Sequence, residues 1–552
     1  MFFKSFSVPW LEWGALVLIL YLAAFLRFHQ LEYKSLWVDE IGQVVAAQAG
    51  ILETLRGAAL HVAAPPLDYL ITWLARQVGN NEFILRVPSV LWSLLAVAAL
   101  YALAKHVTRS ILIALIAAYL FTLAPLVVRY AQEVRFYALS IFLTLLCVYA
   151  FVRAWEMPTR ARWFVFALAL IAAFYAHYYI VFILAALVVW ASANSWRGFD
   201  ALAGVLVKAS TPYKCSSPRG RTHARVLGFA ASLFAFTLCA LPWLLFAGRG
   251  ETSAYIFSPP PLAEILDKPV TGAHIDGAWR AALSVLGVMV LPLCALFGLA
   301  SLWRTQRAWS VLLALVVSIG VMGVWSADLF LGYFYSPRQL LFLVPYYLIL
   351  VAAGIDALFR FIFRSRRGWR SVAIAATLSV ITFFFALSLR GYYDWSKDDW
   401  RSAARLLENA RAQTILPEPA TLGTYLVYYH PALRAALNTV PAKRVWIVTL
   451  DQEKPRALES NVWNAIRLDA SPTLNIFYAG DVSEQVLWRE AAAFDLPLQV
   501  LIYSDLLTRV QQFDPALAQS LARRGRDAMT RAQPPLLDSQ QTRLLRKLSR
   551  FE

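Results

Sequence analysis

The chain has 552 residues, 59% of them hydrophobic and 15% charged, against about 25% charged in an average soluble domain. A soluble protein this apolar could not cover its surface with polar groups, and 24 Gly and 26 Pro are too few for collagen-like or disordered sequence. The net charge of +17 would suggest nucleic acid in a soluble chain. In a membrane protein it reflects Lys and Arg retained on the cytoplasmic side, so no nucleic-acid partner is expected.

Windows of about 19 residues find repeated runs long enough to cross roughly 30 Å of hydrocarbon. Eleven spans are expected, at 10–28, 87–105, 111–128, 136–153, 163–176, 178–194, 227–247, 281–302, 309–327, 338–358 and 371–389. The first is too long for a signal-peptide core and has no small-residue cleavage site after it, which makes it a retained anchor. His177, Tyr178 and Tyr179 mark a tight turn between the fifth and sixth. Cys147, Cys239 and Cys294 lie inside apolar runs and Cys215 in a basic loop, so neither a disulfide framework nor zinc spacing is present.

One set of loops carries Lys105, Arg109, Arg153, Arg160, Arg162, Lys208, Arg304, Arg307, Arg364 and Arg370 with almost no acids. The alternate set holds Glu32, Asp39, Glu40, Asp68, Glu133, Glu251 and Asp276. This contrast places the N-terminus in the cytoplasm and the loops 29–86 and 248–280 and the tail 390–552 outside. The expected fold is therefore an all-α polytopic membrane body over 1–389 followed by a small α/β extracytoplasmic domain over 390–552. In the tail a helical pattern covers Asp398–Arg411, β-type runs cover Val445–Leu450 and Leu498–Tyr503, and a helical pattern covers Glu484–Phe494. The basic stretch Arg523–Arg550 reads as a solvated face or a membrane-surface segment.

Chemistry is expected at the outer loops. Leu36-Trp37-Val38-Asp39-Glu40 puts two adjacent carboxylates just beyond the first span. Acids held near a bilayer boundary are costly unless they serve a function. Asp39 could take a proton from an acceptor hydroxyl, while Glu40 orients it or binds a metal; a solvated acid pair is the plainer alternative. The second outer loop, Arg129-Tyr130-Ala131-Gln132-Glu133-Val134-Arg135-Phe136-Tyr137, offers Glu133 as a second carboxylate, or as half of an ion pair with Arg129 or Arg135. Arg135 and Tyr137 join it as substrate-binding candidates. His61, before Pro65-Pro66, and His177 with Tyr178 complete the set, as hydrogen-bonded structural residues or as ligands beside Glu40. The cofactor is left open, with a divalent cation as one option. Arg338 opens the tenth span, where its guanidinium could grip a phosphate with two parallel hydrogen bonds or simply snorkel.

All of these candidates lie outside, away from ATP and nucleotide sugars, and the chain has no P-loop or dinucleotide fingerprint. A transferase placed there needs a donor already activated and carried by a lipid. A transporter or flippase for lipid-linked saccharides is the alternative; it predicts midplane ionisable groups and repeat symmetry.

These residues resemble the glycosyltransferase C-fold superfamily, in the branch related to protein O-mannosyltransferases and the lipid A aminoarabinose transferase. Trp37-Val38-Asp39-Glu40 is similar to its first-loop WxDE signature. Ala64-Pro65-Pro66-Leu67, Glu82-Phe83-Ile84-Leu85-Arg86, Gln132-Glu133-Val134-Arg135-Phe136-Tyr137 and Ala176-His177-Tyr178 follow in the family's order, as do Ser336-Pro337-Arg338-Gln339 and Asp399-Trp400-Arg401. Gln339 stands where Tyr is usual. The resemblance implies a GT-C fold and an inverting glycosyltransferase of the bacterial or archaeal cytoplasmic membrane, using a polyprenyl-phosphate-linked sugar. The acceptor would be a glycan, lipid or protein. It implies Asp39 as catalytic base supported by Glu40, Glu133 in the place of the second acid, and Arg338 on the lipid-linked phosphate.

Overall fold

The computed structural model describes residues 9–48, 50–60, 64–203, 218–247, 278–331, 337–394 and 398–409, then 415–418, 422–437, 445–450, 463–467, 474–479 and the single positions 519 and 523. His61, Cys215, the loop 248–277, the segment 332–336, the expected helix 484–494 and strand 498–503, and all of the basic tail but Arg523 lie outside these residues. The chain forms two compact units, neither contiguous in sequence. The first comprises Met1–Leu31 and Ala46–Trp395, the second Glu32–Val45 and Ser396–Glu552.

The first unit is all-helical. After α1 (Pro9–Phe28), α3 (Ile51–Leu60), α4 (Leu67–Val78) and α5 (Glu82–Thr108) come α6 (Ile111–Leu123), α7 (Pro125–Ala131), α8 (Tyr137–Glu156), α9 (Arg160–Ala176), α10 (Ile180–Ala203) and α11 (Pro218–Phe246). Then follow α12 (Ala278–Val285), a π-helical turn at Leu286–Val290, α13 (Leu291–Thr305), α14 (Arg307–Leu331), a 3₁₀ turn at Pro337–Leu343, α15 (Val344–Ile362) and α16 (Arg367–Asp394). Each of the eleven expected spans falls on helix, 111–128, 281–302 and 338–358 each on more than one segment. Among the described residues eight helices are long and apolar enough to cross a membrane unaided, and α6 with α7 makes a ninth. The described part of α10, Ile180–Ser195, is shorter, and α9 has 17 residues.

Local chemistry sets several helix ends. Asn81, Ser110 and Thr159 each accept from the backbone N–H three residues on, satisfying donors that the first turn leaves orphaned. The helix breaks at Ala176, and α10 begins at Ile180, as the His-Tyr-Tyr turn implied. The run 111–128, read as one span, is bent by 63° between α6 and α7. Pro125 has no N–H for the Phe121 carbonyl, and its ring crowds that turn, so the helical ladder is interrupted there. Fully buried Arg27 reaches the break: its Nη1 donates to the Thr122 carbonyl at 3.2 Å, while its Nε donates to Ser93 Oγ at 2.7 Å.

The core is built around α15. In its span 94% of the most apolar window is buried, against 17% for α1, so α15 is central. α1 presents Trp10, Leu18, Tyr21 and Phe25 outward, as a helix facing lipid must. α15 touches α13 backbone to backbone: a Cβ on Gly354 would fall 1.8 Å from the Cys294 carbonyl oxygen, and one on Gly298 1.9 Å from that of Leu350. Small residues permit such approach between membrane helices. Charged side chains gather at both ends of this bundle. At one end Lys105 pairs with Glu12, Arg109 lies 3.0 Å from Glu156, and Arg360 and Arg370 both pair with buried Asp356. The other end carries the C-terminus of α1 and the turn from α7 to α8.

The second unit contains α2 (Val38–Ala46), α17 (Trp400–Asn409), β1 (Ile415–Glu418), α18 (Leu422–Tyr429), a 3₁₀ turn at Pro431–Ala436, β2 (Val445–Leu450), β3 (Trp463–Arg467) and β4 (Leu474–Ala479). The strands form one mixed sheet in the order β1-β2-β4-β3, with β1 parallel to β2 and the other pairs antiparallel. This is the small α/β layer expected after the spans, and the helix and strand expected near 398–411 and at 445–450 are both present.

Candidate active site

Two groups of candidate residues emerge, one in each unit. In the second unit, α2 starts immediately after Trp37. Glu40 is its third helical residue, and its Oε2 accepts from the Trp37 backbone N–H at 3.2 Å. This is one half of a capping box, in which an acid in the first turn satisfies the donor at the helix start. Glu40 is fully buried in that role. Asp39, one residue earlier, is half-buried in the same first turn, where the helix dipole favours a carboxylate. The adjacent acids thus differ in environment: Glu40 holds the helix start, and Asp39 retains exposure.

The approach to α2 is bound by the tail. Ser35 Oγ donates to the Asp398 carbonyl at 2.7 Å, and the Leu36 N–H donates to the Tyr429 hydroxyl at 2.7 Å. The Arg401 guanidinium donates to the Tyr33 carbonyl at 3.1 Å and reaches that of Glu32 at 3.4 Å.

In the first unit, the turn from α7 to α8 holds the other candidates. Glu133 is fully buried, with Arg129 Nε 3.5 Å from its Oε1, so the ion pair with Arg129 is present. Arg338, half-buried on the 3₁₀ turn before α15, donates to the Tyr130 hydroxyl and lies within electrostatic reach of Arg129. Tyr137 is buried with its ring 4.6 Å from that of Tyr130 and 4.4 Å from that of Phe136. Arg135 lies over the Phe136 ring at 5.2 Å. Phe136 in turn meets the His177 imidazole edge-on at 4.5 Å. The fold therefore gathers Glu133, Arg135, Tyr137, His177 and Arg338, which the chain spreads over two hundred residues, into one continuous cluster.

His177 is enclosed by Phe136, Tyr179 and Phe342 rings, and its Nδ1 accepts from the Tyr179 N–H at 3.0 Å. Burial, helped by the Arg135 guanidinium, lowers its pKa to about 3, so the imidazole is neutral. Tyr178 belongs to a different set of contacts: its hydroxyl accepts from Trp243 Nε1 at 2.9 Å. Among the described residues no three His, Cys, Asp or Glu side chains are grouped to hold a metal ion.

Sequence reasoning passed over several residues that build this site. The side-chain amide of Gln132 donates to the carbonyls of Arg27 at 2.9 Å and His29 at 2.7 Å, and its oxygen accepts from the Tyr392 hydroxyl at 2.8 Å. Tyr130 and Tyr392 in the first unit, and separately Tyr429 in the second, were given no role, because each acts on a segment distant in sequence.

Residues 63–207 match the family model described as dolichyl-phosphate-mannose-protein mannosyltransferase. This stretch carries the motifs beginning at Ala64, Glu82, Gln132 and Ala176, so the resemblance drawn from those residues is the one the family model also finds. The motifs at Trp37, Ser336 and Asp399 lie outside it. Among solved structures the chain is similar to ArnT from Cupriavidus metallidurans in the apo state, at 12% identity and TM-score 0.49 over 84% of this chain and 98% of that one. It is also similar to the Archaeoglobus fulgidus oligosaccharyltransferase in the apo form, at 12% identity and TM-score 0.48 over 81% and 70% of the two chains. A third likeness, to the S. cerevisiae protein O-mannosyltransferase Pmt1-Pmt2 complex bound to the sugar donor, has 17% identity and TM-score 0.34 over 48% and 37%. No curated protein gives a significant match.

Proposed function

We propose that this chain, whose residues 63–207 carry the sequence pattern of that mannosyltransferase family, is an integral membrane glycosyltransferase with a GT-C fold. It moves a sugar from a polyprenyl-phosphate-linked donor to an acceptor hydroxyl, with inversion, on the extracytoplasmic face. Asp39 takes the acceptor proton. The acceptor oxygen forms a bond to the anomeric carbon as the bond from that carbon to the phosphate oxygen breaks, and the electron pair leaves with the lipid phosphate. The phosphate gains negative charge in this step, which cationic groups already in place would stabilise.

The observation that carries this reading is the arrangement around Arg338. Its guanidinium donates to the Tyr130 hydroxyl and lies within electrostatic reach of Arg129, at the opposite end of the helices from Lys105, Arg109 and Arg370. A guanidinium aimed in this way suits an anion that gains a second charge as it leaves. The exposure difference between Asp39 and Glu40 supports the division of roles between base and orienting residue. The charge asymmetry of the loops supports an N-terminus in the cytoplasm and a tail outside; the resemblance to the GT-C family implies a bacterial or archaeal cytoplasmic membrane.

The test is transfer from synthetic polyprenyl-phosphate sugars by the purified protein. Asp39→Asn is expected to abolish transfer with the thermal unfolding midpoint unchanged. Turnover at the wild-type rate, or translocation of the lipid-linked sugar without transfer, would overturn the proposal. Arg338→Ala is expected to weaken use of the donor more than use of the acceptor.

A further inference from the structure

The segment that carries Asp39 is bound into the tail rather than standing alone. α2 has nine residues, too few to be stable by itself in water. Its entry, residues 32–36, is grouped with the tail in one compact unit. Three attachments fall on these five residues. Arg401 holds the carbonyls of Glu32 and Tyr33, Asp398 accepts from Ser35, and Tyr429 accepts from the Leu36 N–H. Leu36 immediately precedes Trp37, whose own N–H is capped by Glu40. The start of the acid-bearing helix is thus fixed from one side by Tyr429 and from the other by Glu40.

The tail residues that make these attachments are themselves rigidly held. Asp399 caps α17 by accepting from the Ser402 N–H at 3.1 Å. Trp400 is completely buried and packs on Tyr425 of α18 with ring centroids 5.2 Å apart. His430, just past α18, lies 2.7 Å from Glu408 of α17. The residues of Asp399-Trp400-Arg401 therefore act separately, the first starting the helix, the second anchoring it and the third holding the loop.

We infer that the tail is a clamp for the catalytic loop, with Tyr429 and Arg401 as positioning residues that set the location of Asp39. This rests on the reading of Asp39 as the base. A base must be held within a fraction of an ångström of its working geometry, and side chains do this best when supported by a second set of fixed groups.

The experiment uses the full-length protein in nanodiscs, with Tyr429→Phe, Arg401→Ala and Arg401→Lys. Amide hydrogen exchange over residues 34–45 is expected to rise about ten-fold in Tyr429→Phe and Arg401→Ala, with exchange over 82–156 unchanged. Transfer is expected to lose about ten-fold in kcat with KM for the donor lipid unchanged, and Arg401→Lys to recover most of it. Unchanged exchange over 34–45 in both loss variants would overturn the clamp. Raised exchange with undiminished kcat, or a raised KM with kcat retained, would overturn the positioning role. If Asp39→Asn transfers normally, the base assignment falls instead, and the exchange measurement still decides whether the tail holds the loop.

Discussion

Tyr392, near the end of the last span, donates its hydroxyl to Gln132 at 2.8 Å, and the same Gln132 closes the end of the first span by donating to the carbonyls of Arg27 and His29. The last turn of a helix leaves four carbonyls without partners. In the membrane body water cannot fully satisfy them, so a side-chain amide from another helix does so. Gln132 thereby ties α1, α16 and the turn carrying Glu133 into one joint.

Gln132→Glu is the informative substitution, because a carboxylate has the same shape and cannot donate. Leaving a buried acceptor unmatched costs about 1–3 kcal/mol, and here two carbonyls lose their donor. Thermal unfolding in nanodiscs is expected several degrees lower for Gln132→Glu and for Gln132→Leu. An unchanged midpoint for Gln132→Glu would show that the joint does not depend on donation.

The contact between α13 and α15 yields a second prediction. At Gly354 a methyl group would meet the Cys294 carbonyl at 1.8 Å, and a backbone atom cannot swing aside as a side chain can. Gly354→Ala must part the two helices. Overpacking of this kind costs about 1–3 kcal/mol or more, and because α15 is the most enclosed span the loss spreads through the core. The expected result is a lower unfolding midpoint and a shorter half-life in detergent. Gly368→Ala, where a Cβ meets nothing within 4 Å, is the control expected to be neutral.

The spans were legible because hydropathy alone encodes them, and the turn at His177 was legible because polar residues interrupt an apolar run. The bend after Leu123 was not, since hydropathy does not register the missing backbone donor of Pro125. Arg27 falls where an arginine at a span end ordinarily snorkels to water, whereas the fold turns it inward to the broken helix. Of the candidate residues, Glu133 and Arg338 are gathered in one cluster, and Glu40 proves to sit at the third helical position, where an acid caps the helix start. The hold of Tyr429 on Leu36 spans 393 residues of sequence, and nothing local announces it.

Tyr130 links the fold to the proposed donor site. Its hydroxyl accepts from Arg338, so Tyr130→Phe leaves the guanidinium in place but removes one of the groups that aim it. A hydrogen bond to a charged group contributes about 1.5–3 kcal/mol, and partial replacement by water leaves an expected rise of about ten-fold in KM for a polyprenyl-phosphate donor. KM for the acceptor should stay within two-fold, roughly. Equal effects on both substrates would place Arg338 away from the phosphate.

His177 makes stability depend on pH in a defined direction. In the folded protein its pKa is lowered to about 3 from an ordinary value of 6.5, by burial first and by Arg135 second. Below pH 6.5 the unfolded chain takes up a proton at this position that the folded protein does not, so acid favours unfolding. The contribution is fully present above 6.5 and is lost steadily as pH falls towards 3. Between pH 6.5 and 5 it amounts to about 1.6 kcal/mol. His177→Asn keeps a side-chain acceptor for the Tyr179 N–H but has no proton to gain. Its unfolding midpoint is therefore expected to fall less than that of the wild type between pH 7 and 5, while the carboxylates contribute equally to both. Parallel curves over that range would mean that His177 takes up its proton without unfolding, and that the ring cage around it is open to water.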